Sequence, residues 1–513
     1  MAETKREIER KYEATGGDVR LPDLTKVADV ASVVDKGVAE LDAVYYDTQD
    51  LRLAADSLTL RRRTGGDDAG WHLKFPVATG IRDEIHAPLS PDVPRTLAAL
   101  LRSRVRDTPL TPVVRLLSSR HVRHLLDEEG TLLAEVSVDA VRAERLGPGV
   151  PGATAAWTEV EVELADDVDP ALLDRVEKRL RKAGLRPSHS ASKLARALAE
   201  TAPDVPDLPE PTPARPLNEH TAGGHVLGYL RAQRDALVGL DPAVRRDLPD
   251  SVHQMRVATR RLRSAFKSYG KVLDRTVTDP VGEELKWLAG ELGVDRDQEV
   301  LTERLQSRIA ALPRPLLLGP VRGRLRIWSV ARRSGSRRKT IAVLDSKRYL
   351  ALLDTLDALL DAPPLRPAAR RPVAEVVPKA VLKDYERLAG RIAHALELGP
   401  GAPRDLAMHD ARKAAKRARY AAEAAKPALG APAKKFAKRM KAVQTVLGDH
   451  QDSVVAREAL RGLAIQAHLA GESAFTWGLL HGQEAATAAD RERELPEVWR
   501  KASRPQLRKR LSA

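Results

Sequence analysis

The hydrophobic period of this chain changes once, and the change falls at a run of prolines. Before residue 201 apolar and polar residues alternate in short runs. After residue 216 apolar residues recur every three to four positions. Between them lie Pro203, Pro206, Pro209, Pro211, Pro213 and Pro216, with small and acidic residues in the gaps. Proline lacks an N–H and fixes φ, so this stretch can neither pair as a strand nor continue a helix and reads as an extended spacer. The expected architecture is α+β in two domains: an antiparallel β domain over 1–200, a linker over 201–216 and an all-α domain over 217–513. A chain of 513 residues is in any case too long for one core.

Charge divides at the same place. Asp, Glu, Lys and Arg sum to about −6 over 1–216 and about +21 over 217–513. A basic half of that size attracts polyanions: nucleic acid, phosphate polymers or an anionic membrane surface. There is no cysteine, which excludes disulfides and thiolate metal sites. No apolar run could span a bilayer, and residues 1–11 have no signal-peptide character, so a cytoplasmic address without membrane attachment is expected.

Within the first domain, strands are expected over 5–13, 57–63, 71–77, 80–87, 131–141 and 157–164, and charge sits on alternate residues of most of them. Glu7, Glu9 and Lys11 share one parity; so do Arg61 and Arg63, His72 and Lys74, and Arg82, Glu84 and His86. Glu135 and Asp139 alternate with Ala134, Val136 and Val138, and Glu159, Glu161 and Glu163 with Val160, Val162 and Leu164. One such strand is most simply the wet face of a sheet. Six of them are better explained by a closed barrel with a polar lumen, where interior positions also alternate. Clustered carboxylates repel unless a hard cation such as Mg²⁺ or Mn²⁺ sits among them, and Arg and Lys in the same space would grip phosphate oxygens.

The second domain holds two copies of one basic helix. The first runs Val-His-Gln-Met-Arg-Val-Ala-Thr-Arg-Arg-Leu-Arg over Val252–Arg263, the second Met-His-Asp-Ala-Arg-Lys-Ala-Ala-Lys-Arg-Ala-Arg over Met408–Arg419. Each is followed about 40 residues on by a Leu-Gly segment expected to turn, Leu292–Asp297 and Leu447–Asp452. On a helical wheel His253, Arg256, Arg260, Arg263 and Lys267 fall within about 80°, opposite Met255, Ala258, Leu262, Ala265 and Phe266. His409, Arg412, Lys416 and Arg419 repeat the stripe, with Lys413 at its edge. Solvated helix faces ordinarily mix signs, because like charges at i, i+4 repel; stripes this purely cationic argue for an anionic ligand. The two histidines either meet phosphate when protonated or cap and pack. Asp297 and Asp452 would orient stripe residues or cap the next helix. Arg322, Arg324, Arg326, Arg332, Arg333, Arg337, Arg338 and Lys339, and the face Lys434, Lys438 and Lys441, either extend the basic groove or are solvated surface.

Two resemblances sharpen these readings. Glu7-Ile8-Glu9-Arg10-Lys11 is similar to the Glu-x-Glu-x-Lys signature of the CYTH, or triphosphate tunnel metalloenzyme, family. Leu60–Arg63, Lys74, Arg82-x-Glu84, Arg120, Glu135–Asp139, Glu159-x-Glu161-x-Glu163 and Ser192-Lys193 follow in that family's order. The resemblance covers 3–200 and implies an eight-stranded tunnel. In it Lys11, Arg61, Arg63, Lys74, Arg82, Arg120 and Lys193 would hold phosphates, and Glu7, Glu9, Glu161 and Glu163, with Asp139, would hold Mg²⁺ or Mn²⁺. Glu7, Glu9, Lys11, Glu161 and Glu163 would then serve hydrolysis of a terminal phosphoanhydride. His86 departs from the pattern, standing where many members have a third charged residue, an acid. Over 217–505 the chain resembles the CHAD family, the conserved-histidine α-helical domain. That implies a duplicated four-helix bundle binding inorganic polyphosphate through His253, Arg256, Arg260, Arg261, Arg263 and Lys267 and through His409, Arg412, Lys413, Lys416, Arg417 and Arg419. The expected partner is triphosphate or polyphosphate. Alternatives are a polyphosphate-binding protein without turnover, a tunnel acting on an organic triphosphate or cyclising a nucleotide, and a nucleic-acid binder. The last is disfavoured by an aromatic content of only 4% and by the absence of a base-reading signature.

Overall fold

The computed structural model describes residues 3–14, 19–147, 152–201, 218, 220–333 and 336–512. Most of the proline stretch, 202–216, and the side chains of Asp297, Arg332 and Arg333 lie outside these. The chain divides into two compact units, Met1–Thr212 and Pro213–Ala513.

The first unit is a closed antiparallel barrel. Its strands are β1 (Glu3–Ala14), β2 (Ser32–Asp47), β3 (Thr59–Thr64), β4 (Gly70–Ala78), β5 (Ile81–Ala87), β6 (Thr111–Leu126), β7 (Leu132–Arg145) and β8 (Thr154–Leu164), in the order β5-β4-β3-β2-β6-β7-β8-β1. β1 closes the ring by dividing its partners: Glu3–Ile8 pair with β5 and Glu9–Glu13 with β8. A short ninth strand, β9 (Leu185–Pro187), lies on the outer end of β1. Helices α1 (Arg52–Ala55), α2 (Arg95–Val105), α3 (Ala171–Lys182) and α4 (Lys193–Glu200) complete the unit.

The two longest strands, β2 and β6, are the ones alternation did not reveal. β2 bulges between Asp35 and Gly37, where Gly37 takes φ +86° and donates its N–H to Asp35 Oδ1 at 2.7 Å. Side chains before the bulge are largely exposed, so neither face carries an apolar signal.

Parity explains why this barrel is polar inside without being wet outside. Outward residues of β1, β7 and β8 (Tyr12, Val136, Val160, Val162) pack under Leu172, Val176 and Leu180 of α3. Outward residues of β3 to β5 (Leu60, Trp71, Leu73, Ile85) pack under Leu97 and Leu101 of α2. Inside, one end of the lumen is filled: Ala43, Tyr45, Leu116, Val141 and Trp157 form a cluster with Leu194 and Ala197 of α4. The tunnel is therefore apolar and blocked at the α4 end.

The second unit is helical: α5 (Ala222–Arg245), α6 (Ser251–Ser268), α7 (Arg275–Glu291), α8 (Gly293–Ala311), α9 (Val321–Arg333), α10 (Ser336–Leu344), α11 (Lys347–Asp361), α12 (Val373–Glu397), α13 (Ala402–Ala424), α14 (Lys426–Leu469), α15 (Phe475–Ala502) and α16 (Pro505–Ser512). The duplication is visible as α5–α8 against α12–α14, and both copies share one apolar core that runs from Val226 and Leu262 to Ala415 and Met440. A second cluster joins α8, α9, the far half of α14 and α15. The expected Leu-Gly turns are helical instead. α14 kinks at Gly430, φ +58°, but Gly448 sits inside the unbroken helix after it, and in the first copy α7 gives way to α8 at Leu292, which keeps right-handed helical angles. Leu292 and Leu447 are both buried, so core packing holds the helix through the glycine. No described helix is long and apolar enough to cross a membrane.

Candidate functional site

The inward residues of all eight strands meet at the open end of the barrel in a cavity of about 610 Å³. Lys11, Arg61, Arg63, Lys74, Arg82, Arg120 and Lys193 all line it, as do Glu7, Glu9, Glu161 and Glu163. In total nine cationic and eight acidic residues face the same space, so the cavity is polar but close to neutral.

The pairing within it is specific. Lys11 Nζ lies 2.5 Å from Glu161 and Lys74 Nζ 2.5 Å from Glu7. Arg120 makes a fork with Asp139, donating Nε and Nη2 at 2.7 and 2.8 Å, and Nη2 also reaches Glu161 at 2.7 Å. Lys193, on the first turn of α4, inserts its amine among three carboxylates: Asp139 at 2.9 Å, Glu159 at 2.8 Å and Glu161 at 2.6 Å. Ser192 accepts the N–H of Ala195 and starts the helix there, which fixes the lysine's entry point.

These contacts sort the acids into two groups. Asp139, Glu159 and Glu161 have oxygens close enough together to hold a metal ion. Their centre, however, is taken by the Lys193 amine, and Asp139 is 0% exposed beneath it and does not line the cavity. Glu161 is held well below the ordinary carboxylate range: burial opposes ionisation, but Lys11, Lys193 and Arg120 overcome it. Glu7 behaves oppositely. Burial pushes it up to about 7, Lys74 counteracts only in part, and Glu84 and Glu163 add to the rise. Glu9 lies directly across from Glu163 on β8. Glu7, Glu9, Glu84 and Glu163 thus form an acid-rich side, and an added positive charge would relieve the strain on Glu7. These four acids are not gathered as closely as Asp139, Glu159 and Glu161, and Lys74 and Lys5 pair with Glu7 and Glu163, but no single amine of the described residues is shared among three of them as Lys193 is on the other side.

The two β3 arginines differ: Arg63 lacks full compensation, whereas the partners of Arg61 outweigh its burial. Burial next to Arg61 and Arg120 disfavours the charged form of Arg63, although Asp68 pairs with it. Arg61 is held by the Tyr45 hydroxyl at 3.4 Å and by Glu84 at 3.8 Å. Tyr45 is itself lowered, since Arg61, Lys193 and Lys11 outweigh its burial. His72 is neutral: burial drives it down to about 4 despite a 2.9 Å contact from Nδ1 to Glu84. Its Nε2 lies 2.9 Å from the Asp68 carbonyl, so both ring nitrogens face acceptors and a neutral ring donates to only one of them at a time. His86, at the position where the sequence departs from the family pattern, packs its ring 5.0 Å from His72, and its Nε2 is buried without a hydrogen-bond partner. Glu84, Glu159, Tyr45 and His72 complete the constellation but were not singled out as site residues. The acids and His72 share the inward parity of their strands, which could have found them; Tyr45 lies on a strand that alternation missed.

In the helical unit α6 packs against α13, so the two stripes lie on neighbouring helices. Within them the cations differ. Arg412 lies 3.6 Å from Asp452, which thereby orients it, and Lys413 pairs with Asp410. Arg261 and Arg419 both reach Glu423, and Arg417 reaches buried Asp384 at 2.7 Å. Arg263 instead donates to the Gly282 carbonyl, and the Arg260 Nε is buried without a partner. Lys267 is lowered by burial and then by Arg263 and Arg417. Arg263 is lowered by burial. Arg256 and Arg412 share one device. Each guanidinium lies over the glycine of its Leu-Gly pair, and Arg256 Nη1 donates to the Gly293 carbonyl at 3.2 Å. His409 Nδ1 contacts Gln451 at 2.7 Å; burial, then Lys413 and Arg412, lowers the ring's basicity even against that contact. His253, Arg256 and Lys416 are also engaged within the fold. Of the other arginines, Arg324 pairs with Glu472 and Arg337 with Asp247.

The CYTH domain model matches residues 5–198 and the CHAD domain model residues 228–461. An uncharacterized protein of Mycobacterium tuberculosis (strain CDC 1551 / Oshkosh) is 39% identical over 512 residues, covering 96% of both chains. Among solved structures, PptA from Streptomyces chartreusis is 22% identical with a TM-score of 0.46, covering 55% of this chain and 99% of that one. The CHAD domain from the plant Ricinus communis is 26% identical with a TM-score of 0.38, over 58% and 92%. With both models matched in order and a full-length relative at that identity, the chain belongs to the family that joins a CYTH domain to a CHAD domain.

Proposed function

We propose that the barrel binds the end of an inorganic tri- or polyphosphate and hydrolyses its terminal phosphoanhydride, and that the helical unit binds the polymer. One observation carries the first half: seven cations from five strands and a helix converge on one blocked-end cavity. Lys11, Arg61, Arg63, Lys74, Arg82, Arg120 and Lys193 take phosphate oxygens, each charge-assisted bond contributing about 1.5–3 kcal/mol. Glu7, Glu9, Glu84 and Glu163 hold a divalent cation, Mg²⁺ or Mn²⁺. Asp139 and Glu161 act behind them, keeping Lys193, Arg120 and Lys11 charged and aimed. The cation's contribution is to neutralise phosphate oxygens and to position a water. The chain's own part is electrostatic: fixed guanidinium and ammonium groups offset charge as it moves onto the leaving phosphate.

The α4 end is filled by Trp157, Leu194 and Ala197, which favours end-on entry from the open side. Release of phosphate from tripolyphosphate by purified protein with Mn²⁺ or Mg²⁺ tests the reading, with Glu7→Ala/Glu9→Ala as control. No release above that control would leave a binding protein without turnover, the second reading. The neutrality of the cavity keeps that second reading open, since ion pairs inside the lumen must be exchanged before a ligand enters.

A further inference from the structure

Two segments of the helical unit contain bases and no acids. Residues 426–448 hold Lys426, Lys434, Lys435, Lys438, Arg439 and Lys441 before the first acid, Asp449. Residues 498–513 hold Arg500, Lys501, Arg504, Arg508, Lys509 and Arg510. The fold brings them together, for α16 packs on α14. Ala433, Phe436, Ala437 and Met440 face the same core as Leu507 and Leu511. The bases point the other way: Lys434, Lys435, Lys438 and Lys441 on α14 and Arg504, Lys509 and Arg510 around α16 are exposed.

This face is less neutralised than the stripes. Arg412, Arg417 and Arg419 have carboxylates. On the new face Lys501 pairs with Glu497 and Arg508 lies against Tyr385, but the seven exposed bases meet no carboxylate among the described residues. Lys434 and Lys438, and Lys435 and Arg439, repel at i, i+4 with nothing local to relieve them. The pseudo-symmetric helix α7 has no such face: Asp279, Glu283, Glu284 and Glu291 stand among its few bases. The duplication therefore does not require the feature, and one copy carries it alone.

We infer that this face is a second binding surface for a long phosphate polymer, separate from the stripes of α6 and α13. The inference rests on the proposed polymer binding and adds a chain-length dependence to it. Lys434 to Lys441 spans about 10 Å along the helix, a comb that a flexible string of phosphoryl groups can follow. No exposed large hydrophobic residue falls in either segment, which gives nothing to insert into a lipid surface. Of the large aromatics in the two segments, Phe436 is buried and Trp499 is stacked on Tyr385 at 5.6 Å, which leaves no free ring for a base. Inorganic polyphosphate fits best. A polymer long enough to touch both surfaces gains avidity that tripolyphosphate cannot.

The test measures affinity of the full-length protein for tripolyphosphate and for polyphosphate of about 100 units, long enough to engage two sites at once. Lys434→Glu/Lys438→Glu/Lys441→Glu should lower long-chain affinity ~tenfold relative to tripolyphosphate and flatten its salt dependence by roughly three ions. The Gln versions, which cannot add repulsion to the fold, should give about a threefold loss. Unchanged long-chain affinity in these variants, with loss in Arg256→Glu/Arg260→Glu, overturns the second surface and leaves the proposed function standing. No loss in either set overturns both. Loss of single-stranded DNA binding with polyphosphate binding intact assigns the face to nucleic acid and overturns the inference.

Discussion

In the barrel Lys11, Lys74, Arg120 and Lys193 each lie 2.5 to 2.7 Å from a carboxylate, whereas along α6 Arg263 donates to a carbonyl and Lys267 feels Arg263 and Arg417 as well as Glu283 and Asp279, with burial lowering it. Both regions gather cations, yet they are built for different tasks. A lumen whose charges cancel does not attract anions from afar; it exchanges internal ion pairs for ligand contacts and so selects for shape and charge pattern. A helix face left short of acids attracts any phosphate polymer, strongly and with little selection. The largest expected effect follows in the barrel. Glu7→Ala/Glu9→Ala should cut Mn²⁺-dependent phosphate release from tripolyphosphate by ~10³-fold or more, of the order seen when transition-state stabilisation is removed. Retention of a tenth of the rate would place the chemistry elsewhere.

Reversal of the stripes comes next. Arg256→Glu, Arg260→Glu, Arg412→Glu and Lys416→Glu together should weaken polyphosphate binding on the order of 10²-fold, measured by titration at fixed salt. The comparison also predicts a difference in screening. Polymer affinity should fall steeply between 50 and 200 mM salt, by about 10-fold or more, while KM for tripolyphosphate moves only a few-fold because the lumen excludes counterions. Equal salt slopes for the two would erase the distinction between exchange and attraction.

Much of this arrangement was legible beforehand because a strand's parity is a strict rule. Glu7, Lys11, Arg61, Lys74, Arg82 and Glu161 were placed on inward faces by alternation, and the fold puts them in one cavity. What parity cannot report is depth. Asp139 and Glu163 share a parity with their neighbours, yet one lies beneath Lys193 and the other faces Lys5 at the mouth. The amine's position depends on where α4 begins, a tertiary fact. The missed strands β2 and β6 have local causes, a glycine bulge in β2 and long stretches of half-exposed residues in β6. In the helical unit the stripes were legible, because Leu262 and Ala265 on one side imply Arg256 and Arg260 on the other. Their neutralisation was not, for Asp384 and Glu423 come from other turns and helices.

The acid-rich side of the lumen makes a pH prediction of smaller size. Glu7, pushed up to about 7, carries a proton at pH 6 that must leave before a divalent cation binds. Activation by Mn²⁺ at limiting concentration should therefore rise through about pH 7. Stability of the metal-free protein should move the opposite way. A carboxyl whose folded pKa is raised binds its proton more tightly when folded, so its contribution is full below about 4.5 and is lost as pH climbs through about 7. Glu84 is shifted in the other sense, with His72 and Lys74 outweighing its burial, so its contribution is lost only below the ordinary carboxylate range and does not blur this window. Thermal midpoints from pH 5.5 to 8 with and without Mn²⁺ read both trends. A metal-free midpoint that rises over that interval would contradict the assignment.

The smallest effect separates the two copies of the helical repeat. Gly293 and Gly448 occupy the same place in the duplicated pattern, each beneath the guanidinium of the first stripe arginine. A methyl at 448 would meet Arg412 at 3.7 Å, an ordinary contact, in the interior of a continuous helix. Gly448→Ala should therefore stabilise the protein by ~0.5–1 kcal/mol through helix propensity. A methyl at 293 would lie 2.9 Å from Arg256 Nη2, too close, so the guanidinium must lift from the Gly293 carbonyl it now bonds. Gly293→Ala should leave stability nearly level and cost about twofold to threefold in polymer affinity, the scale of one weakened phosphate contact. If both alanines behave alike, the glycines are helix punctuation in both copies and the fit of Arg256 against its turn has no bearing on ligand binding.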